Sequence, residues 1–152
     1  MSYNDFVQKN GIIYHKYYSQ NIKYTIKLSI KNENFGYKLF GEIFYRGGEF
    51  INFTNLILNN YKTENNFYPD IVSIVNSDYE ELNGVRIFPI LFKNDKKTEE
   101  FYQFLQKSIK IQCEFFFSSD IYTNDISIID SKEIKSLKET IEKYFELING
   151  NL

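Results

Sequence analysis

From Ile22 to Ile30 every second residue is apolar. Ile22, Tyr24, Ile26, Leu28 and Ile30 alternate with Lys23, Thr25, Lys27 and Ser29. A period of two belongs to a strand with one face in a core and the other in water. Such a strand needs neighbours on both edges and cover on its apolar face. A sheet protein is therefore the starting expectation.

The neighbours are legible on either side. Ile12 to Tyr18 is β-branched and aromatic and reads as a strand, after a short helical turn over 2–9 that ends at Gly11. Lys31 to Asn34 turns the chain, and Tyr37 to Arg46 is the next strand. Its faces both carry aromatics, Phe40 and Phe44 against Tyr37 and Tyr45, which predicts a central position. Gly47-Gly48 then suits a tight hairpin with a return strand from Glu49 to about Ile57.

Asn59 to Tyr68 is polar and reads as an exposed loop. The next stretch has two readings. Ile71, Ile74, Val75, Tyr79 and Leu82 fit one helical face, whereas the β-branched run from Ile71 to Val75 and the Asn83-Gly84 pair favour strands. Val85 to Phe92 is a strand under both, with Pro89 pointing to an edge or a bulge.

Helical periodicity enters late. Thr98 to Lys110 is predicted as a helix, capped by Thr98 and buried through Phe101, Phe104, Leu105 and Ile109. Ile111 to Phe117 returns as a strand, and Ile126 to Ile129 is short and extended. Asp130 opens a last helix over 131–149. Glu133 stands three residues on, as in a capping box, and Ile134, Leu137, Ile141, Tyr144 and Ile148 form a stripe. Strands first and helices last give an α+β fold: a mainly antiparallel sheet of about five to seven strands, with helices about 98–110 and 131–149 packed on one face. The 152 residues suit a single domain over 1–152.

Composition limits the chemistry. The chain has 15 Phe and 13 Tyr but one His, one Cys and no Trp. Abundant Ile, Asn and Lys with no Ala at all follow A/T-rich codons, so much of the aromatic excess is base composition. A lone Cys113 excludes an intramolecular disulfide and a multi-cysteine zinc site, and a lone His15 excludes HExxH. No GxxxxGK[ST] or GxGxxG is present. No cofactor and no metal are expected, and no catalytic residue is assigned. His15 and Cys113 could pair as base and nucleophile only if their strands were neighbours. The start lacks a basic segment and an apolar run, so a cytoplasmic protein without a membrane span is expected.

The expected function follows from that poverty of catalytic groups and from the tyrosine surplus. The leading reading is a small cytoplasmic protein-binding module that occupies a partner's surface, as inhibitor, immunity or antitoxin-type proteins do. Its contact residues are expected among Tyr14, Tyr17, Tyr18, Tyr68 and Tyr79. The acidic cluster of Asp78, Glu80 and Glu81 would suit a basic protein partner. A second reading is a small-molecule binder or enzyme with an aromatic-lined pocket near His15. A third is a single-stranded nucleic-acid binder that uses Lys23, Lys27 and Lys31 beside the aromatics, with His15 on the same face. The charge is uneven: residues 1–62 hold eight basic and four acidic residues, and 63–152 hold ten and sixteen. The overall charge of −2 makes nucleic acid the weaker partner. Oligomeric state is left open.

Overall fold

The structure, a computed structural model, describes residues 2–3, 12–18, 23–33, 36–46, 53–60, 65–71, 80–82, 85–117 and 124–150. The strands in chain order are β1 (Ser2–Tyr3), β2 (Ile12–Tyr18), β3 (Tyr24–Glu33), β4 (Gly36–Tyr45), β5 (Phe53–Asn60), β6 (Asn66–Phe67), β7 (Asp70–Ile71), β8 (Glu80–Leu82) and β9 (Val85–Leu91). Helix α1 (Asp95–Gln106), strands β10 (Ile111–Phe117) and β11 (Asn124–Ile129) and helix α2 (Ser131–Ile148) follow.

All described pairings are antiparallel and fall into two sheets. The larger has the order β1-β2-β3-β4-β9-β7, with β8 also paired to β9, and so contains seven strands. The smaller has the order β11-β10-β5-β6. The fold is α+β, as expected, but the strands are divided where one sheet was predicted. The point of division is the predicted hairpin. Strand β4 lies centrally, between β3 and β9, while β5 pairs with β10 and β6. Gly47-Gly48 lies outside the described residues. Glycines permit a tight turn, but local permission does not choose a partner. Leu56 and Leu58 are buried with Ile111, Cys113 and Phe115, and that shared apolar face is offered by β10.

The alternation seen in the sequence is realised in β3 and β4. Tyr24, Leu28, Ile30, Leu39, Ile43 and Tyr45 are buried on the inner face. One core joins these residues to the small sheet and to the stripes of both helices, including Phe101, Leu105, Ile134, Leu137 and Ile141. Tyr24 links the layers: its ring stacks on Phe115 of the small sheet at 4.0 Å. Its hydroxyl donates to Asp125 Oδ2 at 2.7 Å. Lys23 reaches the same oxygen at 2.9 Å. On β11, an outer strand of the small sheet, the other Asp125 oxygen accepts the Ile126 N–H at 2.9 Å.

Gly41 marks a close approach. A Cβ there would sit 3.0 Å from Ile90 Cβ and 3.0 Å from the Phe92 ring. Ile90 Cβ is tied to its backbone and cannot swing away. Gly41→Ala is therefore expected to destabilise by about 1–3 kcal/mol, measured as a lowered urea midpoint at unchanged slope. A variant as stable as the parent would show that the strands can part without cost.

Helix α1 differs from expectation at both ends. Helix α1 begins at Asp95, because Asn94 caps it by accepting the Lys97 N–H at 2.9 Å. Thr98, the expected cap, is buried and bonds back to the Asn94 carbonyl at 3.3 Å. The helix stops before Ser108. Asn60, buried at the end of β5, donates to the Lys107 carbonyl at 2.8 Å and to Ser108 Oγ at 2.9 Å. Those bonds satisfy the C-terminal carbonyl that the chain leaves behind when it turns into β10. Ile109, expected in the buried stripe, is thereby left 69% exposed. Helix α2 occupies its predicted span and ends with Gly150 at a φ of 69°. The two helices are pinned by Tyr144 to Asp95 at 2.9 Å and by Tyr102 to Glu142 at 2.6 Å.

The ambiguous stretch contributes strands at both described ends, β7 and β8, and both pair with β9. Residues 72–79 lie outside the described residues. The register closes Leu82 on Val85, so Asn83 and Gly84, also outside the described residues, separate paired strand ends as the Asn-Gly signal predicts. Pro89 is on an inner strand rather than an edge. It stands opposite Glu42 on one side. On the other it falls in the gap between the β7 and β8 pairings, where no described residue requires its missing N–H.

Candidate functional site

Partners across an antiparallel pair project from the same face. The register therefore builds the outer face of the large sheet residue by residue. Thr25 stands opposite Phe44, Lys27 opposite Glu42, Ser29 opposite Phe40 and Lys31 opposite Lys38. Strand β9 extends it with Ile87 beside Phe44 and Pro89 beside Glu42. Phe40 and Phe44 are half-buried, Lys27, Lys31 and Arg46 are partly exposed, and Lys38 is exposed.

The cations gather on the two rings. Lys31 Nζ lies 4.1 Å and Lys38 Nζ 5.3 Å from the centroid of Phe40. Lys27 Nζ lies 5.3 Å and Arg46 Cζ 5.9 Å from that of Phe44. Arg46 is held in place by donating to Thr25 Oγ1 at 2.9 Å. Each ring thus carries two cations within the range of attraction to its π-face. The result is a compact cationic and aromatic surface on a chain of net charge −2.

The residues singled out in the sequence fall into different places. Lys27 belongs to this face. Lys23 does not: it is bound to Asp125 at the junction of the two sheets and lies over Tyr24 and Tyr45 at 5.8 and 5.9 Å. His15 is the Cα partner of Ser29 and Tyr14 of Ile30, while Tyr17 and Tyr18 pair with Tyr3 and Ser2. Those strands place the β2 residues in the large sheet. Tyr68 is 53% exposed, and its hydroxyl accepts from Asn66 Nδ2 at 3.2 Å. Glu80 and Glu81 lie on β8, opposite Ile87 and Arg86. Asp78 and Tyr79 lie outside the described residues.

Cys113 and His15 are on strands of different sheets, so the neighbouring strands their pairing requires do not exist. Cys113 is buried, and burial, with a smaller push from the Glu133 charge, drives its thiol well above the ordinary value. At neutral pH it is an unreactive thiol. Tyr102 is pushed up to about 12, first by its hydrogen bond to Glu142, and Tyr144 to about 12, first by burial and then by Asp95. Both phenols stay protonated and serve as donors that join the helices.

A crevice does lie between helix and sheet. It has a volume of about 530 Å³, lies between α1 and β6, and is lined by Phe67 and Phe104 together with Asn66, Lys96, Glu99 and Gln103. His15 is not among its lining residues. Among the described residues no group of three or more His, Cys, Asp or Glu side chains is placed to hold a metal ion. Among the described residues no helix is long and apolar enough to cross a membrane.

Sequence reasoning finds Lys27 and Lys31 but reads Phe40 and Phe44 only as one aromatic face of a central strand, and it passes over Lys38 and Arg46. The signal was available in the register. Once Ser29 stands opposite Phe40, the outward phase of β3 fixes the outward phase of β4. Comparison of the chain with protein-family models, with curated proteins and with solved structures finds no match.

Proposed function

We propose that this chain is a protein-binding module of the inhibitor, immunity or antitoxin type, which works by occupying a partner's surface through the outer face of β3 and β4. The observation that carries the reading is the gathering of Lys27, Lys31, Lys38 and Arg46 around Phe40 and Phe44. Aromatic anchors ringed by charge suit an interface centre, and the charge sets the partner's complement. The partner surface would be acidic.

The test is complex formation with the product of an adjacent gene, followed by size exclusion and by calorimetry. Lys27→Glu is expected to weaken the complex at least tenfold, and added salt is expected to slow association. Turnover of a substrate by the isolated chain, or a complex indifferent to Lys27→Glu and to salt, would remove the proposal.

The same face supports a second reading, single-stranded nucleic acid, because Lys27 and Lys31 stand beside aromatic rings. Base stacking needs an open ring face, and here each ring is attended by two cations. Affinity for an oligothymidine should fall steeply with salt if phosphates are bound. A flat salt profile rules this reading out.

A further inference from the structure

The register of β3 and β4 contains a conflict. Lys27 stands opposite Glu42, a matched pair, but Lys31 stands directly opposite Lys38. Like charges facing each other across two strands are destabilising. Both ammonium groups stay close to the sheet. They converge on one ring, at 4.1 and 5.3 Å from the Phe40 centroid. The ring's negative face offsets part of the repulsion. Among the described residues neither lysine has a carboxylate within ion-pair distance. Among the described residues, then, the two positive charges are not matched by an ion pair.

We propose that Lys31 and Lys38, converging on Phe40, form a subsite for a doubly charged oxyanion of the phosphate class. Charge is the first argument. A phosphate monoester carries about −1.5 to −2 at neutral pH and matches two lysines, whereas one carboxylate would leave an excess cation. Geometry is the second. Lysine ammonium groups are compact point charges that accept phosphate oxygens from many directions, without the planar pairing that arginine and carboxylate require. Phe40, half-buried and next along the strand face, supplies a ring that both ammonium groups approach. Arg46, one ring along at Phe44, adds positive charge beyond the matched Lys27 and Glu42 pair. The inference deepens the sheet-face reading, and rests on it for the claim that the phosphate is carried by a partner. The anion chemistry follows from the strand register alone.

The experiment titrates inorganic phosphate into the full chain, with ionic strength held constant by chloride, and follows backbone amide resonances and Tm. Saturable shifts centred on residues 31, 38 and 40 are expected, with a rise in Tm. Lys31→Gln and Lys38→Gln should each weaken phosphate binding at least fivefold and leave the remaining amide spectrum native. Lys135→Gln, on an exposed position of α2, should change nothing. Shifts that never saturate, that appear equally at Lys135, or that chloride reproduces would overturn the subsite and leave only diffuse screening. A phosphoserine peptide provides the second arm. Tighter binding than the free ion places the phosphate on a protein partner, and equal binding assigns the subsite to the free ion. No protein partner enters the first titration, so loss of the protein-binding reading leaves its outcome intact.

Discussion

Tyr24→Ala is expected to lower the unfolding free energy by about 4 kcal/mol, and the Tm by roughly 10 °C. Tyr24 is 3% exposed and is one point at which the two sheets meet. Its ring stacks on Phe115 at 4.0 Å and tilts against Tyr45 at 5.3 Å. Alanine would leave a cavity that strands of two separate sheets cannot close by moving together. Tyr24→Phe isolates the polar part. It keeps the stacking on Phe115 and loses the hydroxyl's bond to Asp125, at a cost of about 1.5 kcal/mol.

That variant also changes the response to acid. Burial pushes the Asp125 carboxyl up, but bonds from Lys23, Tyr24 and the Ile126 N–H, with the Lys23 charge, outweigh it and hold the pKa below the usual carboxylate value. A depressed folded pKa means stability that is present above the unfolded value and lost as pH falls through the folded one. Tyr24→Phe should therefore lose less on acidification than the parent. Chemical denaturation at pH 7 and below pH 4 measures both effects. A Tyr24→Ala chain within 1 kcal/mol of the parent would show that the sheets are joined elsewhere.

Glu133→Gln is expected to act in the opposite direction, stabilising the chain by about 2 kcal/mol above pH 7. Glu133 sits in the first turn of α2, 6% exposed, and its Oε1 has no hydrogen-bond partner. The capping box is in place. Asp130 accepts the Glu133 N–H at 2.9 Å, and the Asp130 N–H bonds back to the Glu133 carboxyl. Burial nevertheless dominates, and with the Asp130 charge it pushes Glu133 up to about 7. The folded carboxyl thus holds its proton over a range where the unfolded chain has released it. Stability falls as pH rises from about 4.5 to about 7 and stays lowered beyond. Glutamine retains the cap without the charge, so its stability should be flat across that range. Parallel curves for parent and variant from pH 5 to 8 would contradict this account.

How far the sequence discloses this molecule depends on the range of the interaction concerned. Local signals served well. Asp130 and Glu133 marked the start of α2, Asn83-Gly84 marked a hairpin, and the alternation through β3 fixed which residues face the core. Signals that needed a distant partner failed. Gly47-Gly48 suggested that β4 and β5 pair, yet β5 joins β10, more than fifty residues on in the chain. Thr98 looked like a cap until Asn94 took the role and Ile109 was left outside. The candidate face was half visible, since Lys27 and Lys31 could be phased from their own strand. Phe40 and Phe44 could not, because β4 is aromatic on both faces and its phase is set only by pairing with β3. The tyrosines of β2 and the acidic cluster near Asp78 were chosen on composition and local setting, which do not place residues in space.

Asp125 has a consequence beyond the stability of the folded chain. Among the described residues strand β11 ends its sheet, and it carries Ile126, 52% exposed. A terminal strand with a bare amide and an exposed isoleucine is a template on which a second molecule can add a strand. Here the Asp125 carboxylate takes the Ile126 amide for itself and places a negative charge at the same point. An incoming strand would find its first hydrogen bond already made and its approach opposed. At this point of β11 a single side chain opposes the addition of a strand.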